Sequence, residues 1–299
     1  MEPSLPDPDP TPGRVSDWIL WGQGRLANLD NPSTESRALM GALLGSSTAP
    51  WTRGPEQLPD AQSATFRTWV ERRAAREPFQ YIVGSVSFFG RFFRVGPGVL
   101  VPRPETEHLV ASALDHLSRH HREGQPRILD LGAGSGAIAM TLLLEWPEAI
   151  GVAVEREPEA IRILAENRMR FGLEDRLAIL RGSWGEMLSK RPDFDLILSN
   201  PPYIPTGALA TLDPEVRDHE PIPALDGGPD GLSCYREILE FAPGLLKDGG
   251  LLAFEIGADQ AEAFQPGGAA LSGLPSGFPG PFTVERDVSG RDRIITWKK

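Results

Sequence analysis

The amino-acid sequence predicts an α/β protein, in which a small helical domain precedes a mainly parallel sheet covered by helices on both faces. Three observations carry this prediction. Apolar residues recur at helical spacing near the N-terminus, strand-like and helix-like segments alternate from residue 105 onward, and a glycine-rich turn follows the first strand of the alternating part.

The N-terminal region divides into a tail and a helical domain. Residues 1–13 alternate proline with acidic and small residues, a composition that cannot bury enough apolar surface to offset its ordering entropy, so a disordered tail is expected. Residues 14–77 carry apolar side chains at helical spacing, such as Trp18, Leu39 and Phe66, interrupted by N-P-S-T and G-P-E-Q-L-P. This pattern predicts a small helical domain.

Residues 78–104 are rich in β-branched and aromatic side chains punctuated by glycine. The segment is too hydrophobic to remain a solvated linker, and Pro102 and Pro104 stiffen its exit. It is therefore predicted to form a β-hairpin that bridges two domains.

Residues 105–299 form the alternating part of the chain. Its seven strand-like segments read RILDL, IGVAVE, LAILRG, FDLILSN, LLAFEIG, FTVERDV and DRIITWK, and helices are expected from Ala137, Pro158 and Leu232. The last two strands, with no helix between them, predict an antiparallel hairpin at one edge of the sheet. Residues 265–281 are too rich in glycine and proline for a stable helix and are expected to form a loop.

Composition limits the classes of function. The net charge of −11 repels a phosphate backbone, so nucleic acid is disfavoured as a partner. One cysteine, Cys234, excludes an internal disulfide, and the five histidines show no metal-ligand spacing, so no metal is expected. Neither a membrane span nor a signal peptide is visible, and the protein is expected in the cytoplasm as a monomer.

The first turn of the alternating part reads D-L-G-A-G-S-G over residues 130–136, between an apolar strand and an apolar helix. Glycines allow a sharp turn and let a ligand lie against bare main chain, while the first amides of the helix provide unpaired donors. The turn predicts a site for an anionic group, which would be a pyrophosphate in a dinucleotide enzyme or the methionine carboxylate in a methyltransferase.

Two further side chains complete a candidate cofactor site. Glu155 ends the second strand of this part, where a carboxylate can accept hydrogen bonds from both hydroxyls of a ribose, although a solvent-facing glutamate is the alternative. Trp184 follows the third strand and can contact an adenine or pack in the core.

Asn200, Pro201, Pro202 and Tyr203 follow the fourth strand of this part. The strand order of a doubly wound sheet reverses between the first and fourth strands, so this turn should face the same crevice as the glycine-rich turn. An amide nitrogen is a poor nucleophile that must be oriented, and an asparagine oxygen with a backbone carbonyl can receive its two N–H groups. Proline lacks a competing N–H, and tyrosine can pack flat on a planar acceptor.

These motifs together resemble the class I methyltransferases that act on amide or amino nitrogen, which have a Rossmann-like, seven-stranded sheet. The segments Q-Y-I-V-G (80–84), V-P-R-P-E-T-E (101–107), V-R-D-H-E-P (216–221), A-L-D-G-G-P-D-G-L (224–232) and D-V-S-G-R-D-R (287–293) narrow the likeness. From about residue 15 onward, the chain is similar to the PrmC/HemK family of release-factor glutamine methyltransferases.

The resemblance implies methyl transfer from S-adenosylmethionine to N5 of the glutamine in the Gly-Gly-Gln motif of peptide chain release factors. A lone glutamine offers too little surface for specificity, so the helical domain, residues 14–77, is expected to dock this protein substrate, and residues 105–299 are expected to form the catalytic domain. The glutamine would be bound by residues 200–203. The implied cofactor site comprises Asp130, Gly132, Ala133, Gly134, Ser135, Gly136, Glu155, Trp184 and Asn200.

Four alternatives remain open at this point. A related methyltransferase modifies a ribosomal protein, but its segment resembles P-R-S-P rather than P-R-P-E-T-E. A DNA adenine N6-methyltransferase shares the N-P-P-Y chemistry, although the acidic balance argues against it. An NAD oxidoreductase leaves N-P-P-Y unexplained, and a cofactor-binding scaffold without turnover would belong to a different class.

Overall fold

The computed structural model describes residues 10, 13–45, 57–120, 124–185, 188–189, 191–272 and 282–299. The chain divides into two compact units, Met1–Gly84 with Pro214–His219, and Ser85–Asp213 with Glu220–Lys299. Apart from residues 10 and 13, the tail expected over residues 1–13 lies outside the described residues. In the described part of the chain, no helix is both long and apolar enough to cross a membrane.

The first unit is helical. It contains α1 (Val15–Arg25), α2 (Pro32–Leu43), α3 (Asp60–Ala74) and α4 (Phe79–Val83), together with one turn of helix at Pro214–Arg217. Its core is a cluster of buried apolar side chains that includes Trp18, Leu39, Met40, Phe66 and Val70. The helical spacing of the apolar residues places them on the inner faces of the helices, where their burial stabilises the unit.

A buried arginine holds the distant segment 214–219 within this unit. Arg73 is 7% exposed, and its Nη2 lies 3.0 Å from Oε1 of Glu35 on α2 and 3.1 Å from Oε1 of Glu215. A buried guanidinium requires such partners because an unpaired charge in the protein interior costs several kcal/mol, on the order of 3–5. The helical unit is therefore not a contiguous stretch of sequence.

The predicted hairpin is present but shorter than expected. Strands β1 (Ser85–Phe88) and β2 (Arg91–Arg94) pair antiparallel, and both turn residues, Phe89 and Gly90, have positive φ angles. Such a two-residue turn matches the right-handed twist of the strands. The preceding F-Q-Y-I-V segment is α4 rather than strand, and it ends at Gly84, whose φ of 76° caps the helix in the left-handed conformation.

The second unit is built on a seven-stranded sheet. Its strands are β3 (Arg127–Leu131), β4 (Ile150–Glu155), β5 (Leu177–Arg181), β6 (Phe194–Ser199), β7 (Leu246–Glu255), β8 (Thr283–Arg286) and β9 (Asp292–Lys298). Their order in the sheet is β5-β4-β3-β6-β7-β9-β8; the first five strands in this order are parallel, and β9 pairs antiparallel with both β7 and β8. This confirms the predicted fold class and the antiparallel edge.

Apolar cores cover both faces of the sheet. On β3, Ile128 belongs to one core cluster and Leu129 to the other, because successive side chains of a strand point to opposite faces. The first cluster includes residues of α5 (Thr106–His120), α6 (Ala137–Glu145) and α7 (Pro158–Arg170), and the second includes residues of α8 (Ser233–Leu239) and α9 (Ala242–Leu245).

The glycine- and proline-rich segment 265–281 was expected to be a loop. Residues 265–272 contain turns and one short 3-10 helix, Ala269–Leu271, and no α-helix. Residues 273–281 lie outside the described part of the chain.

Candidate active site

The glycine-rich turn and the N-P-P-Y turn leave adjacent strands. Strands β3 and β6 are direct neighbours, and Leu131 pairs with Ser199 at their carboxyl ends. The Ser199 hydroxyl donates a hydrogen bond of 2.6 Å to the Leu131 carbonyl oxygen, which joins the two strand ends below the turns. The chain continues from β3 toward one edge of the sheet and from β6 toward the other, so a crevice opens at this point.

The conformation of the first turn requires glycine. Gly132 and Gly136 have φ angles of 71° and 83°, in the left-handed region that side chains disfavour. A Cβ atom on Gly136 would also lie 2.4 Å from the Leu164 side chain on α7. Residue 136 must therefore be glycine for α6 to begin where it does and to pack against α7.

Asp130 supports this turn from beneath. Its side chain is fully buried, and Oδ2 accepts a hydrogen bond of 3.1 Å from the backbone N–H of Ala139 in the first turn of α6. Burial, with a smaller contribution from the negative charge of Glu155, raises the pKa of Asp130 to about 7, although the Ala139 hydrogen bond opposes the rise. Asp130 itself does not line the crevice.

Glu155 closes the end of β4 and is 8% exposed. Its Oε2 accepts a hydrogen bond from the Gly134 backbone N–H at 2.8 Å, and its Oε1 accepts from the N–H groups of Arg156 and Glu157 at 2.7 and 3.0 Å. The backbone thus fixes the orientation of this carboxylate. Oε2 retains acceptor capacity toward a ligand, since each carboxylate oxygen can accept about two hydrogen bonds and Oε2 accepts only one from the backbone.

A cavity of about 340 Å³ occupies the crevice within the second unit. Eight of the residues named from the sequence line it: Gly132, Ala133, Gly134, Ser135, Glu155, Trp184, Asn200 and Pro202. Cys234 also lines it. Four other residues named from the sequence do not: Asp130, Gly136, Pro201 and Tyr203. The two turns and the end of β4 therefore converge on one space.

Trp184 has both of the surroundings that the sequence allowed. It lines the cavity and is partly buried, and its ring also packs against the second core cluster. The ring lies close to the glycine-rich turn, since a Cβ on Gly132 would be 3.3 Å from Trp184 Cζ3. Its φ of 45° is strained for a non-glycine residue, which indicates that the surrounding structure holds it in place.

Asn200 faces the cavity with an unequal pair of side-chain atoms. Its Nδ2 donates a hydrogen bond of 3.3 Å to the Thr106 hydroxyl. Its Oδ1 is buried and has no hydrogen-bond partner among the described residues. A buried acceptor without a partner costs about 1–3 kcal/mol, so this oxygen is a candidate for contact with a ligand.

The other three residues of the N-P-P-Y turn have different surroundings, and of these only Pro202 lines the first cavity. Pro201 is buried, whereas Tyr203 lines a second cavity of about 450 Å³ with Gln260 and Arg293. Gln260 Nε2 donates a hydrogen bond of 3.1 Å to the Tyr203 carbonyl oxygen, and burial raises the pKa of the Tyr203 hydroxyl to about 12. The tyrosine is therefore neutral at physiological pH.

Several walls of the first cavity were not assigned to the site from the sequence, although parts of them lie in segments 101–107, 216–221 and 224–232, which carry the family resemblance. They come from residues 98–102 before α5, from Thr106 at the start of α5, and from residues 221–226 after the segment that belongs to the helical unit. Glu220, only 4% exposed, ties two of these walls together, because its carboxylate accepts hydrogen bonds from the Val101 backbone N–H and from Arg103.

Comparison with known proteins finds two family models that match parts of this chain. The PrmC N-terminal domain matches residues 17–84, and the methyltransferase small domain matches residues 108–212. Among solved structures, the hMettl16 catalytic domain in complex with a 3′UTR hairpin is similar with a TM-score of 0.55 and 15% identity, over 80% of this chain and 82% of that one. At this identity the similarity concerns the fold alone.

Curated relatives are closer in sequence. The release factor glutamine methyltransferase of Caulobacter vibrioides is 39% identical over 90% of both chains. The proteins of the same name from Cereibacter sphaeroides and Geobacter sulfurreducens are each 41% identical, over 95% and 92% of this chain and 98% and 93% of their own. The chain is a methyltransferase and belongs to the family of release factor glutamine methyltransferases.

Proposed function

We propose that this enzyme transfers a methyl group from S-adenosylmethionine to N5 of the glutamine in the Gly-Gly-Gln motif of peptide chain release factors. The single observation that carries the proposal is Asn200, whose Oδ1 has no partner among the described residues and which shares a cavity with the glycine-rich turn. Family membership supports the choice of substrate. The enzyme would act in the cytoplasm, as a monomer and without a metal.

The residues of the cavity fit S-adenosylmethionine. The glycine-rich turn offers bare main chain at the start of α6, where backbone N–H groups and the helix dipole favour a carboxylate. Glu155 presents an oriented carboxylate suited to ribose hydroxyls, and Trp184 presents a flat ring suited to adenine. When bound, the cofactor supplies an electrophilic methyl group.

The chain's own task is to aim a weak nucleophile. The lone pair of an amide nitrogen is delocalised, so the nitrogen attacks only when its N–H groups are held. Asn200 Oδ1 would accept one N–H, and a backbone carbonyl of the same turn would accept the other. Such positioning can lower the barrier by about 7–11 kcal/mol when the reacting atoms are well aligned.

The prolines would assist by their backbone geometry. Pro202 lines the cavity and, like Pro201, has no N–H that could compete for the same acceptors. Tyr203 lines the neighbouring cavity, and its proposed stacking on the glutamine remains a prediction.

Recognition of a protein substrate requires more surface than one glutamine offers. We assign this recognition to the helical unit, and Leu20 on α1, which is 66% exposed, is the side chain with which the assignment can be tested.

The proposal is tested by Asn200→Ala. Removing Oδ1 leaves the target amide without one of its two acceptors, so the transfer rate to a purified release factor should fall by at least about 100-fold. The affinity for S-adenosylmethionine, measured by calorimetry, should fall less than about tenfold, because the main task of Asn200 is to aim the acceptor. An equal loss of cofactor binding and transfer would contradict this division of roles.

A further inference from the structure

Three side chains from three different elements meet behind the N-P-P-Y turn. Thr106 is the first residue of α5, Glu255 is the last residue of β7, and Asn200 follows β6. Thr106 and Glu255 are 4% and 1% exposed. The Thr106 hydroxyl donates a hydrogen bond of 2.6 Å to Glu255 Oε2 and accepts one of 3.3 Å from Asn200 Nδ2.

This chain of hydrogen bonds has a direction. A hydroxyl has a single proton, and the short bond to the carboxylate commits it to Glu255. The Thr106 oxygen can then act toward Asn200 only as an acceptor, so the NH₂ group of the Asn200 amide must face it. The other end of the amide, Oδ1, is thereby left toward the space that has no protein partner among the described residues.

The need for this device follows from the symmetry of the amide group. An asparagine side chain that rotates by 180° exchanges a donor for an acceptor with almost no change in shape. An NH₂ group directed at the target glutamine would repel the N–H groups that have to be held. The orientation of Asn200 therefore decides whether the site can bind the glutamine productively.

We infer that Thr106 and Glu255 are positioning residues for methyl transfer, which together hold the Asn200 amide with Oδ1 toward the glutamine. The inference rests on the proposed function. It also gives a task to Thr106 within the V-P-R-P-E-T-E segment, which the cofactor site leaves unexplained.

The surroundings of Glu255 are consistent with this task. Burial raises the pKa of Glu255 to about 7, while the Thr106 hydrogen bond and the positive charge of Arg293 oppose the rise. The protein thus keeps the Glu255 carboxyl group in its interior at an energetic cost. This carboxyl group orients the neighbouring Thr106 hydroxyl. A carboxyl oxygen can accept the Thr106 proton whether the group is ionised or neutral.

The test compares Thr106→Val with Thr106→Ser. Valine removes the hydroxyl at nearly the same volume, so kcat for a release factor should fall by about 10- to 100-fold, while KM and the cofactor Kd should stay within about threefold. Serine restores the hydroxyl and should recover kcat to within about threefold of wild type. Thr141→Val is the matched control, because Thr141 is equally buried on α6 and its hydroxyl has no partner among the described residues.

A second variant covers the case in which Thr106→Val does not fold. Glu255→Leu removes the acceptor of the Thr106 proton, so the hydroxyl becomes free to donate to Asn200 Oδ1 and turn the amide; kcat should fall by a similar factor, with the cofactor Kd unchanged.

The inference is overturned if both variants keep wild-type kcat, if serine is as damaging as valine, or if cofactor binding falls as much as kcat. A wild-type enzyme that leaves the glutamine unmodified would overturn the proposed function and this inference with it.

Discussion

Two carboxylates beside the same turn show how local surroundings divide their tasks. Glu155 accepts three backbone hydrogen bonds at the cavity wall, whereas Asp130 accepts one and is fully buried. The three backbone donors fix the orientation of the Glu155 carboxylate, whereas burial disfavours the ionised form of Asp130. Glu155 is thus suited to bind a ligand, and Asp130 to hold the start of α6.

The buried Asp130 should make stability depend on pH. Its pKa in the folded protein is raised to about 7, above its unfolded value, so the folded state binds the extra proton. The corresponding stability is present below about pH 4 and is lost as the pH rises through 7, by at most about 1.4 kcal/mol per pH unit. In Asp130→Asn this fall should be absent, so the free energy of unfolding, measured by urea denaturation from pH 4 to 8, should decline less steeply than in wild type.

The slope is the informative quantity, because the new amide nitrogen would itself lack a partner and lower stability at every pH. Asp259→Asn, a substitution of an exposed carboxylate, should parallel the wild type. Curves for Asp130→Asn and wild type that run parallel would show that Asp130 titrates at its ordinary pKa.

Among the helices and strands, the sequence predicts the arrangement correctly wherever a residue pattern is repeated along the chain. Alternating strands and helices predicted the parallel sheet, and the reversal of strand order after β3 predicted that residues 132–136 and 200–203 would be neighbours. The glycine-rich turn was identifiable because its left-handed φ angles admit few other residues.

Local sequence patterns did not predict the elements whose structure depends on residues far away in the chain. The F-Q-Y-I-V segment has aromatic and β-branched residues typical of strands, yet it forms α4, where Tyr81 and Ile82 are buried. Residues 98–102 and 221–226 have no periodicity, yet both line the cavity. Glu220, which directly precedes the second segment, joins them by accepting hydrogen bonds from Val101 and Arg103. Thr106 and Glu255 act through a contact between residues 149 positions apart, which no local pattern encodes.

At the scale of the whole molecule, the division into units departs from a simple succession of domains. The segment Pro214–His219 belongs with the helical unit, although the chain on both sides of it belongs to the second unit, which contains the active-site cavity. Sequence composition could not reveal this, because the association involves contacts between residues far apart in the chain: the ion pairs of Glu215 with Arg73 and Arg76, and the hydrogen bond between His219 and the Ala75 carbonyl oxygen.

The proposed role of the helical unit predicts a selective defect. Leu20→Ser removes exposed apolar surface from α1, so KM for intact release factor should rise by about 5- to 20-fold if this residue contacts the substrate. KM for a short peptide that contains the Gly-Gly-Gln motif should stay unchanged, because the peptide has no surface for the helical unit. Steady-state kinetics with both substrates measure the difference.

Gln23→Ser on the same helix is the control, since Gln23 is exposed and polar. Equal effects of Leu20→Ser on peptide and intact factor would place its influence in the catalytic unit, and no effect on either would exclude Leu20 from docking.

We propose that the enzyme methylates a glutamine side chain held in the cavity between the glycine-rich turn and Asn200. Incubation of the enzyme with methyl-labelled S-adenosylmethionine and purified release factors, followed by peptide mass spectrometry, tests it most directly. We expect one added methyl group on the glutamine of the Gly-Gly-Gln motif. A label on another residue, or transfer to a ribosomal protein or DNA while the release factors remain unmodified, would contradict it.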